Sequence, residues 1–245
     1  MSWPFLVPLL ITILVVAILY SSVGHGGASG YIATLALFSV APEAFKPTAL
    51  VLNIVVAAIA TYSFARAGHF SWRLFWPFAA TSIPCSFIGG YLSLPPHVYR
   101  PLVGIILLAS AWRLIFHSEH DTMALRKPPT PVALVIGAGL GLLSGLTGVG
   151  GGIFLSPLLL LFKWGRAREV SAVAALFILV NSGAGLLGHL STLQAIPSCA
   201  PLLAVAALCG GIIGSFLGSR RLQVTGVIKA LSFVLTIAGF KLLLV

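Results

Sequence analysis

Acidic side chains are nearly absent from this chain: its 245 residues include four Asp and Glu against 14 Lys and Arg, and charged residues make up 7%. A soluble domain of this length could not keep its surface wet with so few charges, so that class is excluded. The four acids, Glu43, Glu119, Asp121 and Glu169, all fall in predicted loops. With no carboxylate at membrane depth, sodium coupling is disfavoured, although backbone carbonyls could still hold Na⁺. Cysteine is scarce as well. Cys85, Cys199 and Cys209 lie in apolar segments at spacings that suit no zinc site, and an odd count gives no disulfide framework. His117 and His120 flank Ser118-Glu119 in a stretch that reads as solvated loop. No metal and no cofactor is expected. The N-terminus has no Lys/Arg n-region and no Ala-x-Ala-like site after its first apolar run, which therefore reads as a retained helix.

What the chain has in abundance is apolar length, with 59% hydrophobic residues and a mean hydropathy of +1.10. Long apolar stretches without strand alternation indicate membrane helices and not a β-barrel. The net charge of +10 is scattered between those stretches, where cationic residues act as topology signals, so nucleic acid is not a partner. Ten segments can be marked: 5–23, 28–40, 48–65, 74–93 and 100–116, then 132–147, 152–163, 170–190, 200–218 and 226–245. The one polar connector carries Pro128, Pro129 and Pro131. The expected organisation is a first membrane repeat over 1–116, a connector over 117–131 and a second repeat over 132–245.

The halves share more than hydropathy. Gly24-His25-Gly26-Gly27 and Gly148-Val149-Gly150-Gly151 lie 124 positions apart. Glu43 with Ala49-Leu50 matches Glu169 with Ala175-Leu176 at an offset of 126, and Gly89 matches Gly214 at 125. Asn53 and Asn181 fall within three residues of one another in this register. Five segments per copy is an odd number, so the second copy should enter the bilayer inverted. Alternating the loops puts Arg66, Arg73, Arg113, Arg126, Lys127, Lys163, Arg166, Arg168, Arg220, Arg221 and Lys229 on one side. Lys46, Arg100 and Lys241 fall on the other, which makes the first side cytoplasmic and both termini non-cytoplasmic.

Residues 28–40 and 152–163 are too short to cross a hydrocarbon core of ~30 Å, since as helices they span about 18–20 Å. Each directly follows a glycine break. Two short helices starting in mid-membrane, re-entrant or half-spanning, would aim free N–H groups and positive dipole ends at one cavity. That makes an anion site without a buried Lys or Arg. Glycine lets a ligand approach the amides, although small residues also serve tight helix crossing. The expected site comprises Gly24, His25, Gly26 and Gly27 with Thr147, Gly148, Val149, Gly150, Gly151 and Gly152, flanked by Asn53 and Asn181. His25 is the titrating contact, read as a proton carrier or anion ligand against the plain alternative of a packing histidine. Asn53 and Asn181 could instead bond helix to helix, and Thr147 and Ser144 their own backbone. A rival reading takes Gly27-Ala28-Ser29-Gly30 as a rhomboid-like Gly-x-Ser-Gly pattern, with Ser29 and His189 as a serine-protease pair. Against it, Ile153 stands where the second copy would need its serine.

At these residues the chain resembles the sulfite exporter TauE/SafE family of membrane permeases. The resemblance rests on Ser22-Val23-Gly24-His25-Gly26-Gly27, on Ser144 through Gly152 with Pro157 following, and on Ala175-Leu176 through Asn181 with Gly188-His189. It covers nearly the whole chain, and the first motif departs in carrying His25. It implies a duplicated helical permease exporting sulfite, organosulfonates or related small sulfur oxyanions across the bacterial inner membrane. The combined expectation is an all-α polytopic membrane protein of two inverted repeats, each with a glycine-broken short helix. It would act as a secondary transporter by alternating access, with an anion channel as the alternative. Its partners are a small anion, the lipid bilayer and a coupling ion, H⁺ ahead of Na⁺. Cysteines placed at position 2 and at the C-terminus should both react with an impermeant thiol reagent applied outside intact cells. Labelling of only one would break the odd-numbered inversion.

Overall fold

The computed structural model describes residues 3–40, 44–92, 94–115, 126–189 and 199–220, with Thr236, Phe240 and Leu243 as single helical positions. The expected segment 226–245 lies almost wholly outside them, as do Glu43, His117, Glu119, His120, Asp121 and both ends of the chain. Within the described residues the protein is helical: α1 (Trp3–Ser22), α2 (Ala28–Leu37), α3 (Phe45–Arg66), α4 (Trp72–Tyr91), α5 (Pro96–Ile115), α6 (Thr130–Thr147), α7 (Gly152–Leu161), α8 (Ala167–Gly188) and α9 (Ala200–Arg220). Four stretches, Phe45–Arg66, Thr130–Thr147, Arg168–Gly188 and Ala200–Ser219, are long and apolar enough to cross a bilayer. The two helices after the breaks have ten residues each, about 15 Å of rise. Lys46, read from the sequence as a loop residue, instead opens α3 and is buried.

Helix ends follow local chemistry. At the end of α1 the His25 N–H donates to the Tyr20 carbonyl at 2.9 Å and the Gly24 N–H to Ser21 at 3.1 Å, with Gly24 at φ 75°. This pairing satisfies the last carbonyls of a helix by a left-handed residue just past it. Pro129 precedes α6 in an extended conformation, and Pro131 stands in the helix's first turn, where its missing N–H is not needed. Left-handed residues recur at a fixed interval of 124: Gly24 with Gly148, Gly27 with Gly151, and Ser39 with Lys163. The last pair closes α2 and α7 in the same way, with Val40 donating to Leu35 and Trp164 to Leu159.

Side chains gather into two separate cores. In the first, Leu9, Ile13 and Val16 of α1 pack with Ile32 of α2, Leu52 and Val56 of α3, and Leu203 and Ala207 of α9. In the second, Phe75 and Phe78 of α4 pack with Leu140 of α6, Leu155 of α7, and Val173 and Phe177 of α8. Each bundle thus takes its fourth-ranked helix from the other half of the sequence. Helices α3 and α8 join the bundles and run antiparallel. Asn53 meets Ser182, and seven residues earlier in α3 Lys46 lies beside His189, seven residues later in the chain.

The exchanged helices are held by glycine. On α6, Gly137, Gly141 and Gly145 press on the carbonyls of Phe78, Ser82 and Ser86 of α4. On α9, Gly210, Gly214 and Gly218 press on Leu14, Ile18 and Ser22 of α1. Every step is four residues on both helices, so α4 runs parallel to α6 and α1 to α9. Lipid tails are as apolar as leucine, so burial alone gives little driving force between membrane helices; close backbone packing supplies it. Gly139, one turn face away, meets nothing within 4 Å. We expect Gly141→Leu to lower the thermal stability of the detergent-solubilised protein by at least the ~1–3 kcal/mol of an overpacked contact, while Gly139→Leu leaves it unchanged. Equal melting of the two variants would show that the ladder does not hold α4 to α6.

Candidate functional site

The two glycine breaks meet at one side chain. Asn53, fully buried eight residues into α3, accepts a hydrogen bond from the Ala28 N–H, the first amide of α2, at 2.9 Å. Its own Nδ2 donates to the Val149 carbonyl at 3.4 Å and to Ser182 Oγ at 3.1 Å. One amide group therefore caps the helix after the first break, holds the backbone of the second and reaches α8. Three of its four hydrogen-bonding positions are used. A Cβ on Gly26 or on Gly150 would collide with Asn53, and one on Gly152 with Ile178. The glycines are required because the backbone closes on this amide and on Ile178.

Gly27 and Gly151 directly precede α2 and α7 with φ of 98° and 72°. A side chain at such angles is strained, which explains glycine at these two positions. His25 crosses between the breaks as well. Its Nδ1 lies 3.1 Å from the Val23 carbonyl, its Nε2 lies 3.3 Å from Ser156 Oγ of α7, and the ring also bonds the Gly152 backbone. Val149 turns into the first bundle's core among residues of α1 to α3. Apart from Val23 and His25, which are half-buried, every residue of both breaks is buried. The arrangement is closed.

Several polar groups here lack a protein partner. Among the described residues nothing accepts from the backbone N–H of Ser29, Gly30 or Ile153. The Tyr31 hydroxyl is fully buried and unbonded. A helical side chain points back toward the N-terminus of its helix, and Tyr31 accordingly lies over Gly27, its Cζ and hydroxyl oxygen within 3 Å of where a Cβ on Gly27 would stand. Beside the second break Ser144 Oγ is buried and unbonded too, on a side chain whose Cβ lies 3.3 Å from where Gly151 would carry its own. Buried polar atoms without partners are rare in folded proteins and ask for a reason.

The structure separates other candidates from this cluster. Asn181 bonds away from the breaks, donating to Ser82 Oγ at 3.1 Å and to the Phe177 carbonyl of its own helix at 2.8 Å. Thr147 Oγ1 donates to Leu143 in its own helix, while the Thr147 carbonyl accepts from Tyr99 of α5. Ser29 pairs with the Tyr20 hydroxyl at 2.8 Å, and His189 bonds the Gly90 backbone beside Lys46, so the two form no nucleophile–base pair. Three residues escaped the sequence reading. Ser182 and Tyr31 carry no motif, and Lys46 looked like a topology charge. Lys46 Nζ donates to the carbonyls of Gly90 at 3.1 Å and of Gly89 and Leu92 at 3.4 Å, closing the end of α4. Its backbone also touches Gly148 of the second break. Burial first, and the Lys46 charge second, hold the His189 imidazole below its ordinary pKa.

Comparison with known proteins gives a consistent result. The family described as Sulfite exporter TauE/SafE matches residues 9–242. A probable membrane transporter protein of Sinorhizobium fredii, y4hK, is 41% identical over 239 residues, covering 96% of this chain and 97% of its own. A probable membrane transporter protein of Methanocaldococcus jannaschii, MJ0441, is 27% identical over 198 residues, covering 76% and 73%. No solved structure matches. Replacing Asn53 by Leu leaves the Ala28 N–H and Val149 carbonyl buried without a partner, at about 1–3 kcal/mol for each group. We expect a lower melting temperature for Asn53→Leu and a much smaller change for Ser182→Ala, whose loss frees only one Asn53 donor. Equal and small effects would remove Asn53 from its bridging role.

Proposed function

The chain belongs to the sulfite exporter TauE/SafE family of membrane transporters, and from that premise we propose that it carries a small sulfur oxyanion, sulfite or an organosulfonate, outward across a bacterial inner membrane. The observation that supports this most is the convergence of the α2 and α7 starts on Asn53, with donors left over and no acceptor of their own. Ser29, Gly30 and Ile153 offer amides, and Tyr31 and Ser144 offer hydroxyls. Two helix N-termini favour negative charge. Sulfur oxyanions present several acceptor oxygens to such a ring of donors, and hydrogen bonds to a charged acceptor are the stronger kind.

The duplicated, inverted organisation of 1–116 and 132–245 is part of the same proposal. Supporting it are the left-handed residues at a constant interval and the equivalence of contacts: α1 on α9 mirrors α6 on α4. Antiparallel packing of α3 against α8, its counterpart, is what an in-plane two-fold axis requires. The closed site then opens to one side or the other as the two bundles part along α3 and α8. The sequence alone suggests one half rocking on the other; because the fourth helices are exchanged, the moving bodies in this proposal are the two bundles. His25, bonded across both breaks, is placed to sense that movement and to carry a proton. A channel would need no alternating closure, so saturation and trans-stimulated exchange separate the two mechanisms.

The test is sulfite efflux from proteoliposomes, competed with sulfate, thiosulfate and sulfoacetate. We expect saturable flux, with the apparent KM raised about ten-fold or more by Tyr31→Phe, the loss of one hydrogen bond to a charged ligand. Because the Tyr31 hydroxyl has no partner among the described residues, the variant should melt no lower than the parent. An unchanged KM would remove Tyr31 from the site. Absent sulfite flux from folded protein would reject the substrate class.

A further inference from the structure

A cavity of about 360 Å³ lies between α3 and α9, lined by Tyr62, Ser63, Arg66, Ala67, Phe216 and Ser219. It opens where α3 and α9 end, since Arg66 and Ser219 stand in their last turns. That end of the molecule is the basic one: Arg73 begins α4, and the connector's Arg126 N–H bonds the Lys163 carbonyl ahead of Arg166 and Arg168. Interior helix contacts do not explain the cavity's composition. We propose that it is a binding site for the phosphate of an anionic phospholipid, seated on Arg66.

Arg66 is aimed by Tyr62, one turn earlier on α3. Its Nη1 donates to the Tyr62 hydroxyl at 2.7 Å, and the guanidinium carbon sits 5.8 Å from that ring's centre. The remaining N–H groups of the guanidinium have no partner among the described residues. A guanidinium held by one edge presents its planar fork to a phosphate, for which its geometry is suited. Hydroxyls complete the polar wall. Ser63 and Ser215 bond one another across the helices at 3.2 Å, stitching the cavity floor, and Ser219 lies just above them. The flanks are apolar and face outward, with Tyr62 62% and Phe216 52% exposed. Aromatic side chains at helix ends belong at the headgroup level, and Trp72 and Trp76 in the first turns of α4, the next helix in the chain, are exposed too. An amphipathic ligand, charged at one end and apolar along its side, matches both surfaces. A free oxyanion would use only the polar one.

Native mass spectrometry of the full chain in detergent, titrated with phosphatidylglycerol or phosphatidylcholine of identical acyl chains, tests the assignment. One interfacial arginine contributes on the order of 1 kcal/mol to binding an anionic lipid, about five-fold in affinity. We expect phosphatidylglycerol to be preferred, Arg66→Gln to lower that preference about five-fold, and Arg66→Lys to restore part of it, which also reports correct folding. Arg73→Gln removes an exposed charge from the same end but outside the cavity and should change nothing. Equal losses for Arg66→Gln and Arg73→Gln would overturn the site in favour of diffuse surface charge. Displacement of the lipid by millimolar inorganic phosphate, with phosphate adducts lost in Arg66→Gln, would assign the cavity to a soluble oxyanion and overturn the lipid reading.

Discussion

Breaking a helix inside a bilayer frees backbone N–H and C=O groups that no water can reach, and each one left bare costs several kcal/mol. The architecture around the two breaks answers that demand. The end of α1 is closed by its own left-handed turn at Gly24. The start of α2 is closed by Asn53 from a different helix, and the start of α7 by its own tight turn, in which the Gly152 N–H donates to the Gly150 carbonyl at 2.9 Å. Once Asn53 must reach Ala28 and Val149 together, the rest is constrained. Gly26 and Gly150 must lack side chains, α3 and α8 must pack closely, and Ser182 must stand opposite. A donor surplus remains after this accounting at the two helix starts, and it is there that the proposed anion site falls.

Much of this was legible in the residues. The apolar runs and their glycine punctuation located the nine described helices to within four residues at each end, because membrane helices are bounded by polarity and by backbone breakers, both local properties. The shared turn geometry of the breaks was legible too, since left-handed turns favour glycine and so leave a trace. What stayed hidden was pairing. Asn53 and Asn181 are alike in type, environment and rank, yet one joins the breaks and the other bonds Ser82 and its own helix. No local pattern separates them; the difference arises from what α4 brings against α8. Tyr31 was invisible for the same reason, as an aromatic in an apolar helix reads as core until its hydroxyl is seen to lack a partner.

Lys46 shows where charge counting reaches its limit. A lysine before an apolar run is a sound topology signal, and its side assignment is compatible with its place beside His189. Its ammonium is nevertheless buried, donating to three carbonyls at the end of α4. A cation at a helix C-terminus complements the partial negative charge there, so the group is satisfied as it stands and needs no anion. It also adds positive potential beside Gly148 in an interior that has no described carboxylate to offset it. In the proposed function, anion affinity at the breaks would draw on three sources of different range: free amides, hydroxyls, and one buried cation.

The exchange of helices between bundles bears on how such a molecule could move. If α1–α5 and α6–α9 swung as sequence halves, both glycine ladders would have to slide, because each joins one half to the other. Those ladders press Cα against backbone carbonyl with no flexible side chain between, and close-packed contacts of that kind are bistable at best, not smoothly deformable. The α3–α8 seam differs in kind. At Asn53 it is joined by one side-chain hydrogen bond, 3.1 Å to Ser182, which can exchange partners without unpacking a helix. In the proposed function, an anion arriving at the α2 start would compete with the Asn53 carbonyl oxygen for the Ala28 amide, since both are acceptors for one donor. Its binding would loosen the same residue that ties the breaks together, so occupancy and release of the seam become a single event.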